Sequence, residues 1–234
     1  MDLISSLGKS LPYMDKLDPW SSHAWISTRL KGQPSGTRVL DVGAASGTLG
    51  RLCSGKDLVL CGIEPQLEWA EVARPYYDVI LCSTLDQAPD EFLRDYEVIV
   101  LADVLERMPD PELTLQRLTS LEAKDTMFII SVPNIANIYV RINLLFGRFN
   151  YTDRGILDRT HLHFFTRRTL IEMLNDVGLQ VKRLEVTPLP LNLVHPFFER
   201  TMFGRLFHRS LAFLTRLFPT LLGYQFMVEA RRKD

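Results

Sequence analysis

Residues 39–47 read VLDVGAASG, a short apolar run followed by residues with almost no side chain. The first four residues have the β-branched composition of a buried strand. Gly43 and Gly47 frame the turn that follows, where the lack of a Cβ lets the backbone approach a ligand closely. Asp41 precedes the turn, and we expect its carboxylate at the rim, accepting hydrogen bonds from a cationic or hydroxylated ligand. The stretch therefore predicts a strand that ends in a ligand-binding turn.

Outward from this stretch, apolar runs of strand length alternate with segments of helical spacing. Such alternation predicts an α/β fold built on a doubly wound, mostly parallel sheet. Gly178 lies where a glycine would end the third predicted helix. The candidate strands are 39–42, 58–63, 78–82, 97–102, 127–132, 179–187 and 223–231, and the candidate helices are 67–74, 111–121 and 169–177.

Composition narrows the class of protein. The chain has 234 residues with a net charge of -1, so no basic field indicates a nucleic-acid partner. Its three cysteines have no metal-ligand spacing and are odd in number, which favours a reducing, cytoplasmic environment over a disulfide framework. No secretory signal or membrane-spanning stretch is expected.

A second acid, Glu64, follows the second candidate strand in the sequence CGIEP. A carboxylate at this point can hold both hydroxyls of a ribose, so Asp41 and Glu64 together indicate a nucleoside-binding crevice. The turn reads D-x-G-x-x-x-G and lacks the G-x-G-x-x-G of dinucleotide folds. An acid beside the turn would also repel a pyrophosphate, which argues against a nicotinamide-dependent oxidoreductase and for a cationic ligand without phosphates.

At this point the chain resembles the class I S-adenosylmethionine-dependent methyltransferases, over about residues 18–187 and the last strand. VLDVGAASG resembles the first motif of the family, GIEP its ribose-binding acid, ADVLERMPDP (102–111) the segment after strand four, and SVPN (131–134) the strand-five motif. The resemblance implies a Rossmann-like, seven-stranded, mostly parallel sheet with an antiparallel last strand and helices on both faces. It also implies S-adenosyl-L-methionine as cofactor, bound by Asp41, Gly43, Ala45, Gly47, Glu64, Pro65, Asp86, Asp103 and Val104.

Two positions depart from the family pattern. The acid that reads the adenine amino group has no clear counterpart, so that Asp86 or Thr84 must serve. Arg107 stands where the family frequently has histidine, which weakens any role of this position as a base.

Residues 147–170 (GRFNYTDRGILDRTHLHFFTRRTL) are rich in aromatic residues, arginine and histidine. The segment resembles a block in a subgroup of these methyltransferases associated with surface-polysaccharide biosynthesis. His161 and His163 alternate and share a face if the segment is extended; either can be the catalytic base, with Asp158 orienting it. Alternatively the segment is a packed cover. Acceptor-binding candidates are Asn134, Tyr151, Arg154 and Arg159; no metal site is expected.

Two segments flank this domain, which we expect to span 1–234 as one unit. Residues 1–36 are expected to form an N-terminal helical cap, in which DPWSSHAW (18–25) carries a helix N-cap signal and His23 can reach the methionine carboxylate of the cofactor. Residues 195–222 are expected to form an amphipathic helical insertion before the last strand, with Arg205, His208, Arg209, Ala212 and Arg216 on one stripe.

Three interpretations of 195–222 remain open: a lid packed on the domain, a peripheral membrane contact at the inner face of the membrane, and a dimer contact. The membrane interpretation suits an acceptor carried on a lipid. The oligomeric state is not predicted.

The resemblance implies O-methylation of a sugar, a polysaccharide precursor or another small hydroxylated acceptor. Two alternatives stay open. One is a quinone-like or small aromatic acceptor, favoured by an apolar pocket near Phe149 and Phe164. The other is a non-catalytic cofactor-binding partner in a glycan assembly.

Overall fold

A computed structural model describes residues 19–191 and 201–233. Residues 1–18 of the predicted cap and 195–200 of the predicted insertion lie outside the described residues, as does the side chain of Arg205.

The strands occupy the predicted positions in the chain. The apolar runs at 98–101 and 127–133 are buried on both faces, as expected for central strands covered by helices on each side. The strands are β1 (Thr37–Val42), β2 (Leu58–Ile63), β3 (Val79–Leu81), β4 (Val98–Ala102), β5 (Met127–Pro133), β6 (Leu179–Thr187) and β7 (Gln225–Arg232).

The helices begin at recognisable caps. Ser21 accepts a hydrogen bond from the Ala24 amide at 3.2 Å, Asp110 accepts one from the Leu113 amide at 2.9 Å, and Thr166 forms a capping box with Thr169. The helices are α1 (Ser22–Lys31), α2 (Thr48–Cys53), α3 (Leu67–Ala73), α4 (Pro111–Leu121), α5 (Ile138–Leu145), α6 (Arg167–Asp176), α7 (Met202–Leu217) and α8 (Pro219–Leu222). Helix α5 was not among the sequence predictions.

The seven strands form one sheet in the order β3-β2-β1-β4-β5-β7-β6. Strands β1 to β5 pair in parallel, and β7 runs antiparallel to both of its neighbours, β5 and β6. The predicted Rossmann-like fold is therefore confirmed. The strand order reverses between β1 and β4, and ligands of open α/β sheets bind outside the carboxyl ends of the strands at such a point.

Helix α7 has an orientation that its sequence pattern did not predict. Gly204, His208 and Ala212 are buried against the domain, whereas the large apolar side chains of the helix are exposed. The predicted polar stripe is thus divided, because His208 and Ala212 face inward while Arg209 and Arg216 remain exposed. Among the described residues, no helix is both long and apolar enough to span a bilayer.

Candidate functional site

The turn after β1 is folded by left-handed backbone conformations. Gly43, Ala45 and Gly47 have φ angles of 78°, 47° and 79°. The amides of Gly43 and Ala44 donate to the Ile63 carbonyl at 2.8 and 3.0 Å, which ties the turn to the end of β2. Gly43 is needed for space as well, because a Cβ there would lie 2.9 Å from the Val104 side chain.

Glu64, at the end of β2, is bound by backbone amides. One carboxylate oxygen accepts a hydrogen bond from the Ala45 amide and the other from the Gln66 amide, each at 2.9 Å. Burial raises the pKa of Glu64, although the two amide hydrogen bonds act in the opposite direction. Each carboxylate oxygen has a second lone pair, so Glu64 can still accept two hydrogen bonds from a ligand.

Asp41 is not at the rim, where the sequence analysis placed it. Its carboxylate is buried and accepts a hydrogen bond from the hydroxyl of Tyr77. The pKa of Asp41 is raised to about 6. Burial is the largest cause and the charge of Glu64 acts in the same direction, while the Tyr77 hydrogen bond acts against them. Asp41 therefore changes its charge close to neutral pH.

These groups lie on a cavity of about 1060 Å³, large enough for a cofactor and a second small molecule. The cavity extends from the turn after β1 across the ends of β4 and β7 to the segment 153–161. The predicted site residues that line it are His23, Asp41, Gly43, Ala45, Glu64, Pro65, Asp86, Asp103, Val104, Arg154, Asp158, Arg159 and His161. Thr84, the other candidate for reading adenine, also lines it.

Gly47, Asn134, Tyr151 and His163 are not among the residues that line the cavity. Gly47 allows close packing, because a Cβ there would lie 2.8 Å from the Cα of Ala73. The side-chain amide of Asn134 donates hydrogen bonds to the carbonyls of Thr220 and Gly223 at 3.0 and 2.8 Å. Asn134 therefore joins the end of β5 to the segment before β7.

The other two residues lie in the segment after α5. Tyr151 is half exposed and packs edge-on against Phe149, with ring centroids 5.6 Å apart. The ring nitrogen Nε2 of His163 lies 3.1 Å from the Pro109 carbonyl oxygen. Of the two histidines, His161 therefore lines the cavity and His163 does not. The amides of Leu162 and His163 both donate to the Glu106 carbonyl, which fixes this part of the chain beside Glu106.

Asp103 lines the middle of the cavity with a left-handed backbone, at a φ of 58°. Its carboxylate accepts hydrogen bonds from the Gln225 side-chain amide at 2.7 and 2.8 Å and from the Ser131 hydroxyl at 2.9 Å. Strands β5 and β7 thus hold this acid in one orientation at the end of β4.

A buried acid and a buried histidine meet on the far side of the cavity. Oε1 of Glu106 lies 3.8 Å from Nε2 of His161, and both side chains are almost fully buried. Among the described residues, none supplies a hydrogen bond from a different position in the chain to either carboxylate oxygen of Glu106. Burial, together with the charge of Asp103, raises the pKa of Glu106 well above its usual range.

The tautomer of His161 follows from its other neighbour. Nδ1 lies 3.2 Å from the carbonyl oxygen of Ile156, which can only accept a hydrogen bond. Nδ1 therefore carries the hydrogen in the neutral ring, and Nε2 keeps its lone pair. Burial lowers the pKa of His161, and the Arg107 guanidinium acts in the same direction, so the ring is neutral at neutral pH.

Asp158 does not orient His161, which corrects the arrangement proposed from the sequence. Its carboxylate accepts hydrogen bonds from the amide and hydroxyl of Thr160 at 2.9 and 2.8 Å, and Arg107 lies 3.3 Å away. The Ile156 carbonyl takes the orienting role instead. Sequence reasoning also missed Glu106, Tyr77 and Gln225. Only Glu106 had a signal, as the second acid of the segment ADVLER.

Comparisons with known proteins agree with this geometry. A family model described as a methyltransferase domain matches residues 21–184. The ubiquinone biosynthesis O-methyltransferase of Aeromonas salmonicida (strain A449) is 26% identical over 170 residues, which are 68% of each chain.

Two solved structures share the fold. The magnesium protoporphyrin IX methyltransferase of Synechocystis PCC 6803, solved with bound SAH, has a TM-score of 0.61 and 15% identity and covers 92% of this chain and 83% of its own. A SAM-dependent methyltransferase from Archaeoglobus fulgidus has a TM-score of 0.56 and 18% identity, with coverage of 90% and 94%.

Proposed function

Because the chain belongs to the S-adenosylmethionine-dependent methyltransferase family, we propose that it methylates a hydroxyl oxygen of a small polar acceptor. The observation that carries this proposal is the buried pair of Glu106 and His161 on the same cavity as the turn after β1. Methyl transfer to a hydroxyl requires that a proton be removed, and a neutral, buried histidine is suited to remove it.

The residues at the turn fit the cofactor. Carboxyl groups outnumber arginines along the cavity, which favours a ligand with a positive centre. Glu64 has acceptor capacity for two ribose hydroxyls, and the turn itself contains neither lysine nor arginine with which to hold a phosphate. His23 and Thr84 or Asp86 line the parts of the cavity where we place the methionine end and the adenine, respectively.

When bound, S-adenosylmethionine supplies a methyl group that its sulfonium centre makes electrophilic. The main task of the protein is then to align donor and acceptor. The carboxylate of Glu64, bound by backbone amides, and that of Asp103, bound by the side chains of Gln225 and Ser131, are fixed in orientation for that purpose.

His161 is the proposed base. Its Nε2 lone pair takes the proton of the acceptor hydroxyl, while the Ile156 carbonyl holds the opposite edge of the ring. A positive charge on the ring lowers the pKa of Glu106 in turn, because an opposite charge at 3.8 Å favours the carboxylate. The proton that leaves the acceptor oxygen therefore stays on Nε2 of His161, and the carboxylate form of Glu106 stabilises the positive ring.

We place a sugar-like acceptor beside this pair. The adjoining wall consists of Asp153, Arg154, Asp158, Arg159 and Thr160, which are suited to hydroxyl groups. Phe149 and Phe164 pack against each other with centroids 5.8 Å apart and lie outside the cavity lining, which weighs against a large apolar acceptor. The name of the Aeromonas relative supports the competing choice, a small hydroxylated aromatic.

A mass-shift screen tests the proposal. Purified chain and S-adenosylmethionine with a deuterated methyl group are incubated with two panels, one of free and lipid-linked sugars and one of phenols and catechols. Transfer of label to an oxygen of a sugar, lost in His161→Ala, supports the proposal. Transfer of label only to phenols would contradict the sugar-like acceptor and identify a small hydroxylated aromatic as the acceptor.

Two results contradict different parts of the proposal. Calorimetric cofactor binding without transfer to any hydroxyl would contradict the enzymatic role and favour the non-catalytic module. Transfer that continues at the same rate in His161→Ala would contradict only the choice of base, because another group would then remove the proton. Methyl transfer occurs in the second case and not in the first, so the two are distinguishable.

A further inference from the structure

Helix α7 packs on the domain through its small and polar side. The residues buried on this side share one stripe at 100° per residue, and the large residues point away from it. The stripe consists of Gly204, His208, Ala212 and Thr215. The side chains that would normally hold a helix to a core are therefore not used for that purpose here.

The opposite side of α7 is a continuous apolar surface. Phe203 is 72% exposed and Leu206 is 62% exposed, which is unusual for large apolar residues that are neighbours on one helix. We call this surface the α7 apolar face; it consists of Met202, Phe203, Leu206, Phe207, Phe213, Leu214, Leu217 and the adjoining Phe218. The polar residue within it, Ser210, already donates its hydroxyl to the Leu206 carbonyl at 3.0 Å.

Positive charge borders this surface on one edge. Arg209 and Arg216 are seven positions apart, which places them within about 20° of each other on a helix. They lie between the buried stripe and the α7 apolar face, and both are exposed. The sequence from Thr201 to Val228 contains no aspartate or glutamate.

We propose that the α7 apolar face binds the surface of an anionic lipid bilayer, with the helix lying in the plane of the interface. Its Phe and Leu side chains enter the boundary between headgroups and acyl chains, and Arg209 and Arg216 contact lipid phosphates. Charge complementarity favours this occupant over a second copy of the chain. A second α7 would bring the same arginines and no carboxylate to pair with them.

Sedimentation with vesicles tests this proposal on the full chain. One vesicle preparation is phosphatidylcholine alone, and the other contains phosphatidylglycerol and phosphatidylcholine in equal amounts. We expect the chain to sediment with the anionic vesicles, to bind the neutral ones about tenfold more weakly or worse, and to lose binding to the anionic vesicles as salt is raised.

Two matched variants locate the contact. The triple variant Phe203→Ser, Leu206→Ser and Phe213→Ser is expected to lose at least tenfold of the vesicle affinity. The control is the double variant Leu67→Ser and Val79→Ser. These residues are 62% and 49% exposed, and Val79 lies in β3, at the sheet edge opposite to β6. The control should bind vesicles normally. Arg209→Glu should weaken binding to anionic vesicles, whereas Lys124→Glu should not.

Calorimetry with S-adenosylmethionine separates this proposal from the methyltransferase proposal, since no α7 side chain that the structure describes lines the cavity. The triple variant should bind the cofactor as the parent chain does. The membrane proposal is overturned if the triple variant sediments with vesicles unchanged. It is also overturned if neither preparation binds the chain and ultracentrifugation shows a dimer that the triple variant dissociates.

Discussion

The two ends of the cavity treat their charged groups in different ways. At the β1–β2 end, the buried carboxylates have hydrogen-bond donors within the protein. Glu64 accepts hydrogen bonds from two backbone amides, and Asp41 accepts one from the Tyr77 hydroxyl. At the β4 end, Glu106 is just as buried but receives no hydrogen bond from elsewhere in the described chain, and faces His161 at 3.8 Å.

This difference separates binding from proton transfer. A buried carboxylate held by amides keeps its orientation and its charge, which suits the recognition of a ribose or a cation. A buried carboxyl without such partners favours its neutral form and exchanges protons readily with a neighbour. The first end is therefore built to hold the cofactor, and the second is built to move a proton.

Removing the histidine should give the largest effect at the proton-transfer end. We expect His161→Ala to lower the single-turnover rate of methyl transfer about 10²- to 10³-fold, because within 19–191 and 201–233 no other histidine lines that wall. Cofactor affinity, measured by calorimetry, should stay within about twofold. His163→Ala is the contrast, since its ring contacts the Pro109 carbonyl and is not part of the cavity lining, and a comparable loss there would contradict our choice of base.

Removing the acid at the binding end should have the next largest effect, and on affinity alone. Glu64→Ala removes one or two ribose hydrogen bonds, each worth about 1.5–3 kcal/mol when the acceptor is charged. Calorimetry should show at least a tenfold weaker binding of both S-adenosylmethionine and its demethylated product. Unchanged affinity for either ligand would refute the ribose assignment.

Glu106 sharpens the comparison, because the same type of residue should behave differently at the other end. Glu106→Gln is expected to leave cofactor affinity unchanged and to lower kcat about tenfold, since the amide cannot take up charge as the His161 ring gains it. The midpoint of the acidic limb of the pH–kcat profile, where His161 becomes protonated, should shift as well. The free energy of unfolding should not fall, because an unpaired buried carboxyl is replaced by a neutral group of the same shape. A loss of stability with an unshifted profile would indicate a purely structural role.

The fold and the binding end could be predicted because their signals are local. The strands at 58–63 and 179–187 and the helix at 111–121 have the predicted bounds, since the apolar pattern of a strand and the Asp110-Pro111 helix start act over a few residues. Likewise, Gly43 and Glu64 each follow directly from the strand that precedes them.

The proton-transfer end could not be predicted to the same degree, because its contacts join distant parts of the chain. Nothing local indicates that Glu106 meets His161, or that Ile156 rather than Asp158 orients the ring. Helix α7 shows the same limit: its periodicity is clear, but only the packing reveals that the small and polar side faces the domain.

The pH dependence of cofactor binding gives the smallest effect and tests the binding end at the level of one proton. Burial raises the pKa of Asp41 to about 6, so the carboxylate is mostly charged at pH 7 and mostly neutral at pH 5. A cationic ligand favours the charged form, so affinity for S-adenosylmethionine should fall about tenfold as the pH drops from 7 to 5.

The demethylated product, S-adenosylhomocysteine, provides the internal reference for this measurement. It lacks the sulfonium charge but shares the ribose, so protonation of Glu64, whose pKa burial also raises, weakens both ligands equally. The ratio of the two affinities therefore reports Asp41 alone.

In Asp41→Asn the ratio should be independent of pH. In Tyr77→Phe, which removes the hydrogen bond that lowers the pKa of Asp41, the transition should move to higher pH. A ratio that stays constant from pH 7 to 5 in the unmodified chain would mean that Asp41 does not sense the sulfonium, and that its contact with Tyr77 serves the fold alone.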